Sequence, residues 1–346
     1  MRPERWRALT ALGLALTAGL VALAVSLTLT GYDAASALSA LWLGGFGTSE
    51  GLLSATLPRA VPLILIGLGL GVAFRGGALN IGAEGQFYAG AGVATWIGLS
   101  LGGWPRPVAV ALVLLGGAGA GLLYGLVPVW LRLRFGVLEV ISTLLLNFVA
   151  EGVISYLVQG PLMEPRHIYP QSALLPLAAR LPLWTGTRLH LGMALALTLA
   201  VGIWVFERRT RPGFMLYAAG VNPSAAWIMG RIDTRKVFAL ALLASAGLAG
   251  LAGGAEISGS TYALFQNLSP GYGFTGIAVA LLARLHPLGI VASGLLFAGL
   301  EAGAGAMQRD AGVPAVIVSV VEAAIILTVL LGDAASRRRL SPATGI

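Results

Sequence analysis

The side chains in this sequence with the most obvious capacity for chemistry are Asn80, Glu84 and Gln86, which share one short polar segment with two glycines. Amides donate and accept hydrogen bonds, whereas an ionised carboxylate only accepts them. Such groups suit the binding of an uncharged polar solute better than the making of a covalent bond. The segment interrupts apolar sequence, and irregular backbone at membrane depth is tolerated only within protein or beside a water-filled cavity. Breaks of this kind recur in transporters, so the segment indicates a transporter.

Other polar side chains lie inside long apolar segments, where each is costly and is therefore a candidate for function. Asn147 and Glu151 are four residues apart, so a helix would place them on one face. Tyr156 offers an aromatic ring that can stack on a base or cover the face of a sugar. We predict a substrate pathway formed by Asn80, Glu84, Gln86, Asn147, Tyr156 and Glu301.

Patterns typical of enzymes are absent from the sequence. There is no Walker A motif, no zinc-binding H-E-x-x-H and no G-x-S-x-G, and Lys236 is the only lysine. The lack of cysteine excludes disulfides, thiolate catalysis and cysteine-ligated metals. We therefore predict no catalytic residue, no metal site and no cofactor bound by this chain.

The composition is that of a membrane protein. Apolar residues make up 57% of the chain, charged residues only 10%, and the mean hydropathy is +0.86. Apolar runs of about 20 residues, long enough to cross the hydrocarbon core of a bilayer, recur along the chain. The fold class predicted is an all-α polytopic membrane protein with about ten transmembrane helices, some of them short or broken. We place the spans at 8–30, 52–74, 86–103, 107–131, 140–159, 190–206, 237–257, 273–285, 287–305 and 313–332.

The distribution of basic residues predicts the orientation. With the N-terminus inside, sixteen Lys and Arg fall on cytoplasmic segments and five on external ones, with Arg59 inside a span. Positive charge marks the cytoplasmic side, so both termini are predicted to be cytoplasmic. The whole chain, 1–346, is then one transmembrane domain with an external loop at 160–189, a basic cytoplasmic loop at 207–236 and a cytoplasmic tail at 333–346. Apolar pieces inside the cytoplasmic loop predict short helices lying under the membrane.

Small residues recur four apart in several spans, for example at Gly117, Gly121 and Gly125 and at Gly250 and Gly254. This spacing lets helix backbones approach closely and indicates tight packing. The segment 271–276 echoes the polar interruption at 76–86, and paired interruptions point to an internal repeat with a central site.

Several further segments follow the first one in a fixed order. They are EVISTLLLN (139–147), QGPL (159–162), GVNPSAA (220–226) with Gly230, AGLAGLAGG (246–254), GYGFTGIAVALLAR (271–284) and HPLG (286–289). Together with FRGGALNIGAEGQ (74–86), this ordered set resembles the ABC importer permeases of the nucleoside and simple-sugar group, which are related to ribose-type and branched-chain amino acid permeases.

The resemblance implies a transmembrane permease of an ATP-driven importer in the bacterial cytoplasmic (inner) membrane. Its implied partners are a cytoplasmic ABC ATPase that uses the ATP, a second permease subunit that is often a different chain, and an external substrate-binding protein. Nucleic acid is not an expected partner. The loop 207–236 would be the coupling loop. Its implied ATPase-contacting residues are Gly220, Asn222, Pro223, Ala226 and Gly230.

The sequence departs from the family pattern at a few positions. Tyr217 stands where the family often has arginine. Glu301 and Glu322 are acidic at positions where related permeases more often carry amides, arginine or neutral residues. The expected solute is a nucleoside or a related sugar-like molecule. The alternatives are a sugar or branched-chain amino acid ABC permease, or a proton-coupled secondary transporter that uses Glu84, Glu151 or Glu301.

Overall fold

The computed structural model describes residues 17, 19, 21–314, 316 and 317, and this part of the chain is helical, with isolated β-bridges but no strand. Residues 21–29 are helical. The α-helices that follow are α1 (Ala34–Trp42), α2 (Leu57–Arg75), α3 (Ala83–Leu99), α4 (Arg106–Phe135), α5 (Glu139–Gln159), α6 (Gly192–Arg209), α7 (Arg211–Val221), α8 (Pro223–Gly230), α9 (Thr234–Glu256), α10 (Tyr272–Leu282) and α11 (Pro287–Ala311). π-helical turns precede α2 at Leu43–Gly47 and Gly51–Thr56 and extend α9 at Ile257–Thr261.

Five helices among the described residues are long and apolar enough to cross a membrane, as the hydropathy pattern predicted. They are Gly51–Arg75, Arg106–Phe135, Glu139–Gln159, Thr234–Thr261 and Pro287–Ala311. The predicted spans 86–103 and 190–206 correspond to α3 and α6. The predicted span 313–332 and the tail 333–346 lie almost wholly outside the described residues, as do Glu322 and much of the span 8–30.

The described residues also contain two shorter apolar helices, Ala34–Gly47 and Tyr272–Leu282. The short α10, which the sequence predicts, ends at Leu282 and is followed by Arg284 and Leu285 in the left-handed region (φ 50° and 59°). The helix at Ala34–Gly47 is not predicted by the sequence, because the closely spaced glycines in that stretch resemble a loop.

The described residues divide into two compact units, one containing residues up to 56 together with those from 296 onward, the other residues 57–295. In the first unit Leu23, Leu27, Leu41 and Met307 form a buried core. A Cβ atom added to Gly303 would lie 2.3 Å from the carbonyl oxygen of Leu41, so this glycine permits direct backbone contact. Glu301 lies in this unit and is half-buried.

Helix α9 is the centre of the second unit and packs against α2, α3 and α4. In these contacts, glycines of one helix lie directly against backbone atoms of the neighbouring helix. A Cβ at Gly121 of α4 would lie 2.3 Å from the carbonyl oxygen of Ala246, and one at Gly253 of α9 would lie 2.1 Å from that of Phe87 in α3. Glycine at these positions lets helices approach closely where lipid supplies no hydrophobic drive. The packing role predicted for the spaced glycines is confirmed.

The connections in the second unit are also fixed by specific contacts. The turn between α4 and α5 is closed by Gly136 at φ 71° and by an ion pair of 3.3 Å between Arg132 and Glu139. The segment 160–189 is bound to the end of α9 and the residues after it. Its backbone N–H groups at Ser172 and Leu181 donate to the carbonyls of Leu264 and Ser258, each at 2.7 Å.

Candidate functional site

The polar break, residues 76–86, joins α2 to α3 and is held together by Asn80. This side chain is fully buried, and its amide nitrogen donates to Gln86 Oε1 at 2.8 Å and to Ser245 Oγ at 3.0 Å. Its oxygen accepts from the backbone N–H of Gly82 at 3.0 Å and from Gln86 Nε2 at 3.2 Å. All the hydrogen-bonding capacity of the Asn80 amide is therefore used within the chain.

Asn147 ties α5 to the polar break. It is buried, its nitrogen donates to the carbonyl of Ile81 at 2.9 Å, and its oxygen accepts from the backbone N–H of Gly85 at 2.8 Å. One turn earlier, Thr143 Oγ1 accepts from the N–H of Ile81 at 3.3 Å. The side chains of α5 thus satisfy backbone groups that an interrupted helix would leave unpaired.

Glu84 connects the polar break to the second interruption, residues 271–276, which contains the start of α10. Its buried carboxylate accepts from the backbone N–H of Gly273 at 2.6 Å. A Cβ at Gly273 would lie 2.3 Å from the nitrogen of Glu84, so the first turns of α3 and α10 are in direct contact. A carboxylate near a helix N-terminus contributes about 0.3–1 kcal/mol, and Glu84 lies beside two of them. The two interruptions that echo each other in sequence therefore meet in space.

A polar stripe on α5, formed by Glu151, Ser155 and Gln159, faces outward from the second unit. Glu151 and Gln159 are exposed, and Ser155 is half-buried. Ser155 Oγ accepts from Gln159 Nε2 at 2.8 Å and from the side chain of exposed Gln266. Spacings of four residues align the stripe along one side of the helix. Glu151 is among the candidates predicted from the sequence, but Ser155 and Gln159 are not predicted as pathway residues, although their spacing in an otherwise apolar span is a signal for them.

Five of the six predicted pathway residues lie in the second unit, and four of these form one group. Asn80, Glu84, Gln86 and Asn147 meet in the buried cluster described above. Tyr156 is 70% exposed on α5, about a quarter-turn away from the polar stripe, beside apolar Val149 and Val153. Glu301 belongs to the other compact unit. Solute contact by any of the six stays a prediction.

Two further charged side chains of the second unit are Glu256, which is buried, and Arg59 near the start of α2, which is exposed. Glu256 is 5% exposed at the end of α9, and the charge of Arg59 acts on it. Among the residues that the structure describes, no three His, Cys, Asp or Glu side chains are grouped as ligands for a metal ion.

The predicted coupling segment forms the two short helices α7 and α8. The hydroxyl of Thr210 accepts from the N–H of Gly213 at 3.1 Å and begins α7, and Asn222 Oδ1 accepts from the N–H of Ala225 at 3.0 Å and begins α8. Pro223 follows Asn222 at the first helical position, where its missing N–H costs nothing. Such N-caps contribute about 1 kcal/mol each. The short helices predicted from the apolar pieces of this loop are confirmed.

The remaining coupling residues have different environments. Gly220 contacts the backbone of Arg75, Ala226 is buried, and Gly230 ends α8 before Arg231 in the left-handed region. Large apolar side chains of the two helices are nevertheless exposed, each by more than half. They are Phe214, Tyr217, Val221, Trp227 and Ile228. At the start of α9, a hydrogen bond from the backbone N–H of Lys236 lowers the pKa of Asp233 and keeps this N-cap ionised.

Comparison with known proteins finds a matching family model and several similar proteins. A family model described as "Branched-chain amino acid transport system / permease component" matches residues 52–330. The chain is 38% identical over 320 residues to the guanosine ABC transporter permease protein of Bacillus subtilis, covering 91% of each chain. It is 36% identical to the glucose ABC transporter permease protein of Haloferax volcanii, over 85% of this chain and 80% of that one. It is 32% identical to a nucleoside ABC transporter permease protein of Lactococcus lactis, over 90% and 88%.

Proposed function

We propose that this chain, which belongs to the branched-chain amino acid transport system / permease component family and is the permease subunit of an ABC importer, admits nucleosides. The observation that carries the choice of solute is the 38% identity, over 91% of both chains, to a permease named for guanosine. A second relative is named for nucleosides in general. The chain is not itself an enzyme. Hydrolysis of ATP takes place in a separate ATPase, and this chain binds no cofactor.

The topology that fits this role has about ten crossings with both termini in the cytoplasm of a bacterial cell. The chain is a multi-pass membrane protein, and the excess of basic residues on alternate connections supports this orientation. The segment 160–189 is then external and the segment 207–236 cytoplasmic. The external segment is the place where a substrate-binding protein docks, and the basic tail 333–346 is cytoplasmic.

The translocation pathway runs along the polar stripe of α5. A charged side chain at membrane depth is costly, so such residues face protein or a water-filled cavity rather than lipid. Glu151 and Gln159 are exposed on the surface of this chain, and a second permease subunit facing the stripe across the pathway meets this requirement. The buried cluster at Asn80 and Asn147 then sets the shape of the helices beside the pathway.

Single cysteines test this assignment, because the chain contains none of its own. In the assembled transporter, Glu151→Cys and Gln159→Cys should react rapidly with a hydrophilic, membrane-impermeant thiol reagent, and labelling should lower nucleoside uptake. Val149→Cys lies on the apolar side of the same helix and should react much more slowly. Equal labelling rates at Val149 and at the stripe would place the pathway elsewhere.

The coupling segment docks on the ATPase through the exposed apolar side chains of α7 and α8. An exposed apolar patch marks an interaction site, and aromatic residues often dominate the binding energy of such sites. Trp227 is 60% and Ile228 73% exposed on α8. Tyr217 is also exposed and makes an apolar contact there.

Replacing Trp227 by Asp should reduce recovery of the ATPase with the tagged permease by at least about tenfold, because a central aromatic contributes about 2 kcal/mol or more to binding. Trp184→Asp is the matched control, since Trp184 is 73% exposed in the external segment. Recovery is measured by quantitative mass spectrometry of the purified complex. Loss of the ATPase in both variants, or in neither, would contradict the docking proposal.

Affinity purification of the tagged permease from mild detergent, followed by transport assays on the recovered complex in vesicles, tests the function as a whole. We expect an ATPase, a second permease and a binding protein to co-purify, and the complex to take up guanosine when ATP is supplied inside the vesicles. A second candidate solute is glucose, because of the 36% identity to a permease named for it. Uptake of glucose but not of nucleosides would indicate a glucose permease. Uptake that survives ATP depletion would favour a proton-coupled transporter.

A further inference from the structure

We propose that Arg75 and Glu207 are positioning residues for transport that connect the coupling helix α7 to the polar break and to α10. The inference rests on the proposed function, since it assigns the route by which movement imposed by an ATPase reaches the membrane-spanning helices. The contacts that carry it form the Arg75 junction, defined here as Arg75, Glu207 and Leu285.

Arg75 ends α2 and joins three separate parts of the chain. Its Nη1 is 2.7 Å from Glu207 Oε2 near the end of α6, and its Nη2 donates to the carbonyl of Leu285 at 2.9 Å. Glu207 is almost fully buried, with 4% of its side chain exposed. A guanidinium can hold two partners at once in a fixed geometry, which a lysine ammonium does less well. The junction therefore fixes α2, α6 and the turn between α10 and α11 relative to one another.

The coupling helix α7 packs against the backbone beside this junction. A Cβ at Gly220 would lie 2.0 Å from the carbonyl oxygen of Arg75, and a Cβ at Gly76 would lie 2.7 Å from Leu216 of α7. Gly77 adopts φ 79°, which makes the turn that begins the polar break. Contacts this close mean that α7 cannot move towards α2 without displacing Arg75 and the turn after it.

Helix α10 is held at both of its ends by residues that flank or belong to the polar break. Glu84 accepts a hydrogen bond from Gly273 in the first turn of α10, and Arg75 donates to Leu285 just beyond its last turn. Movement of α7 is thus transmitted together to the polar break and to α10. Removing the junction leaves the ATPase attached to α7 but removes the link between Arg75 and the far end of α10.

The assembled complex in vesicles provides the test, with transport and ATP hydrolysis measured on the same preparation. In Arg75→Ala we expect transport per ATP hydrolysed to fall about tenfold or more, which is within the usual range of coupling between sites. Arg75→Lys and Glu207→Gln, which preserve size, should give intermediate values. Arg134→Ala removes an exposed arginine that is also predicted to be cytoplasmic, and it should keep the wild-type ratio of transport to ATP hydrolysis.

The ratio of transport to ATP hydrolysis distinguishes a positioning role from a merely structural one. Transport and ATPase activity that fall in proportion, or that both remain at the wild-type level in the two milder variants, would overturn the proposal even if Arg75→Ala fails to assemble. A wild-type complex whose ATPase activity does not respond to solute would instead overturn the proposed function, and this inference with it.

Discussion

Gly121→Leu should abolish the folded protein, whereas Gly119→Leu, two residues away on the same helix, should leave it intact. A Cβ at Gly121 would lie 2.3 Å from the carbonyl oxygen of Ala246 and 2.7 Å from Cα of Gly250, both of them backbone atoms of α9. Overpacking costs about 1–3 kcal/mol where side chains can adjust, and more where backbone must move. The stability of a folded domain is only about 5–15 kcal/mol, so the expected loss is a large part of it.

The measurement is the melting temperature and the monodisperse yield of the detergent-solubilised protein. A Cβ at Gly119 would meet nothing within 4 Å, so Gly119→Leu controls for the change in helix composition alone. If the two variants melt at the same temperature, then the α4–α9 contact is not the tight backbone packing described above.

Asn80→Leu should destabilise the fold, whereas Gln159→Leu should lower transport and leave the stability unchanged. Leucine at position 80 removes the partners of Gln86, Ser245 and the N–H of Gly82, all in a buried site. Each buried polar group left without a partner costs about 1–3 kcal/mol. Gln159 is exposed on the polar stripe and bonds only to Ser155 of its own helix.

Thermal unfolding and nucleoside uptake are measured for both variants in the assembled complex. Hydrogen exchange over the polar break gives a local readout, and we expect faster exchange there in Asn80→Leu alone. Equal melting temperatures, or normal uptake in Gln159→Leu, would contradict the division between a buried cluster that supports the fold and an exposed stripe that lines the pathway.

Much of the architecture could be predicted from local patterns. Apolar length located the long spans, because crossing a bilayer requires about 20 apolar residues whatever their neighbours are. The glycines at 117, 121, 250 and 254 indicated close packing, and the apolar pieces of the loop 207–236 indicated short helices. The helix at Ala34–Gly47 was missed because its glycines weaken the local helical signal, while packing of the whole unit stabilises it.

The partners of the polar residues could not be predicted in this way. Asn147 and Glu151 are four apart on α5, yet Asn147 is buried against the polar break and Glu151 is exposed. The sequence showed that both are polar residues in an apolar span, but not where the edge of the buried face falls. That edge depends on how α3 lies against α5.

The sequence by itself determined that this is a helical membrane protein of a transporter family, and where its backbone is interrupted. Hydropathy, helix length and breaks are properties of neighbouring residues, so they can be read locally. Only the tertiary structure decided that Glu84 binds Gly273 and that Arg75 joins Glu207 to Leu285. These pairs are far apart in the chain, and they meet because α2 packs against α6 and α10 and α3 packs against α10.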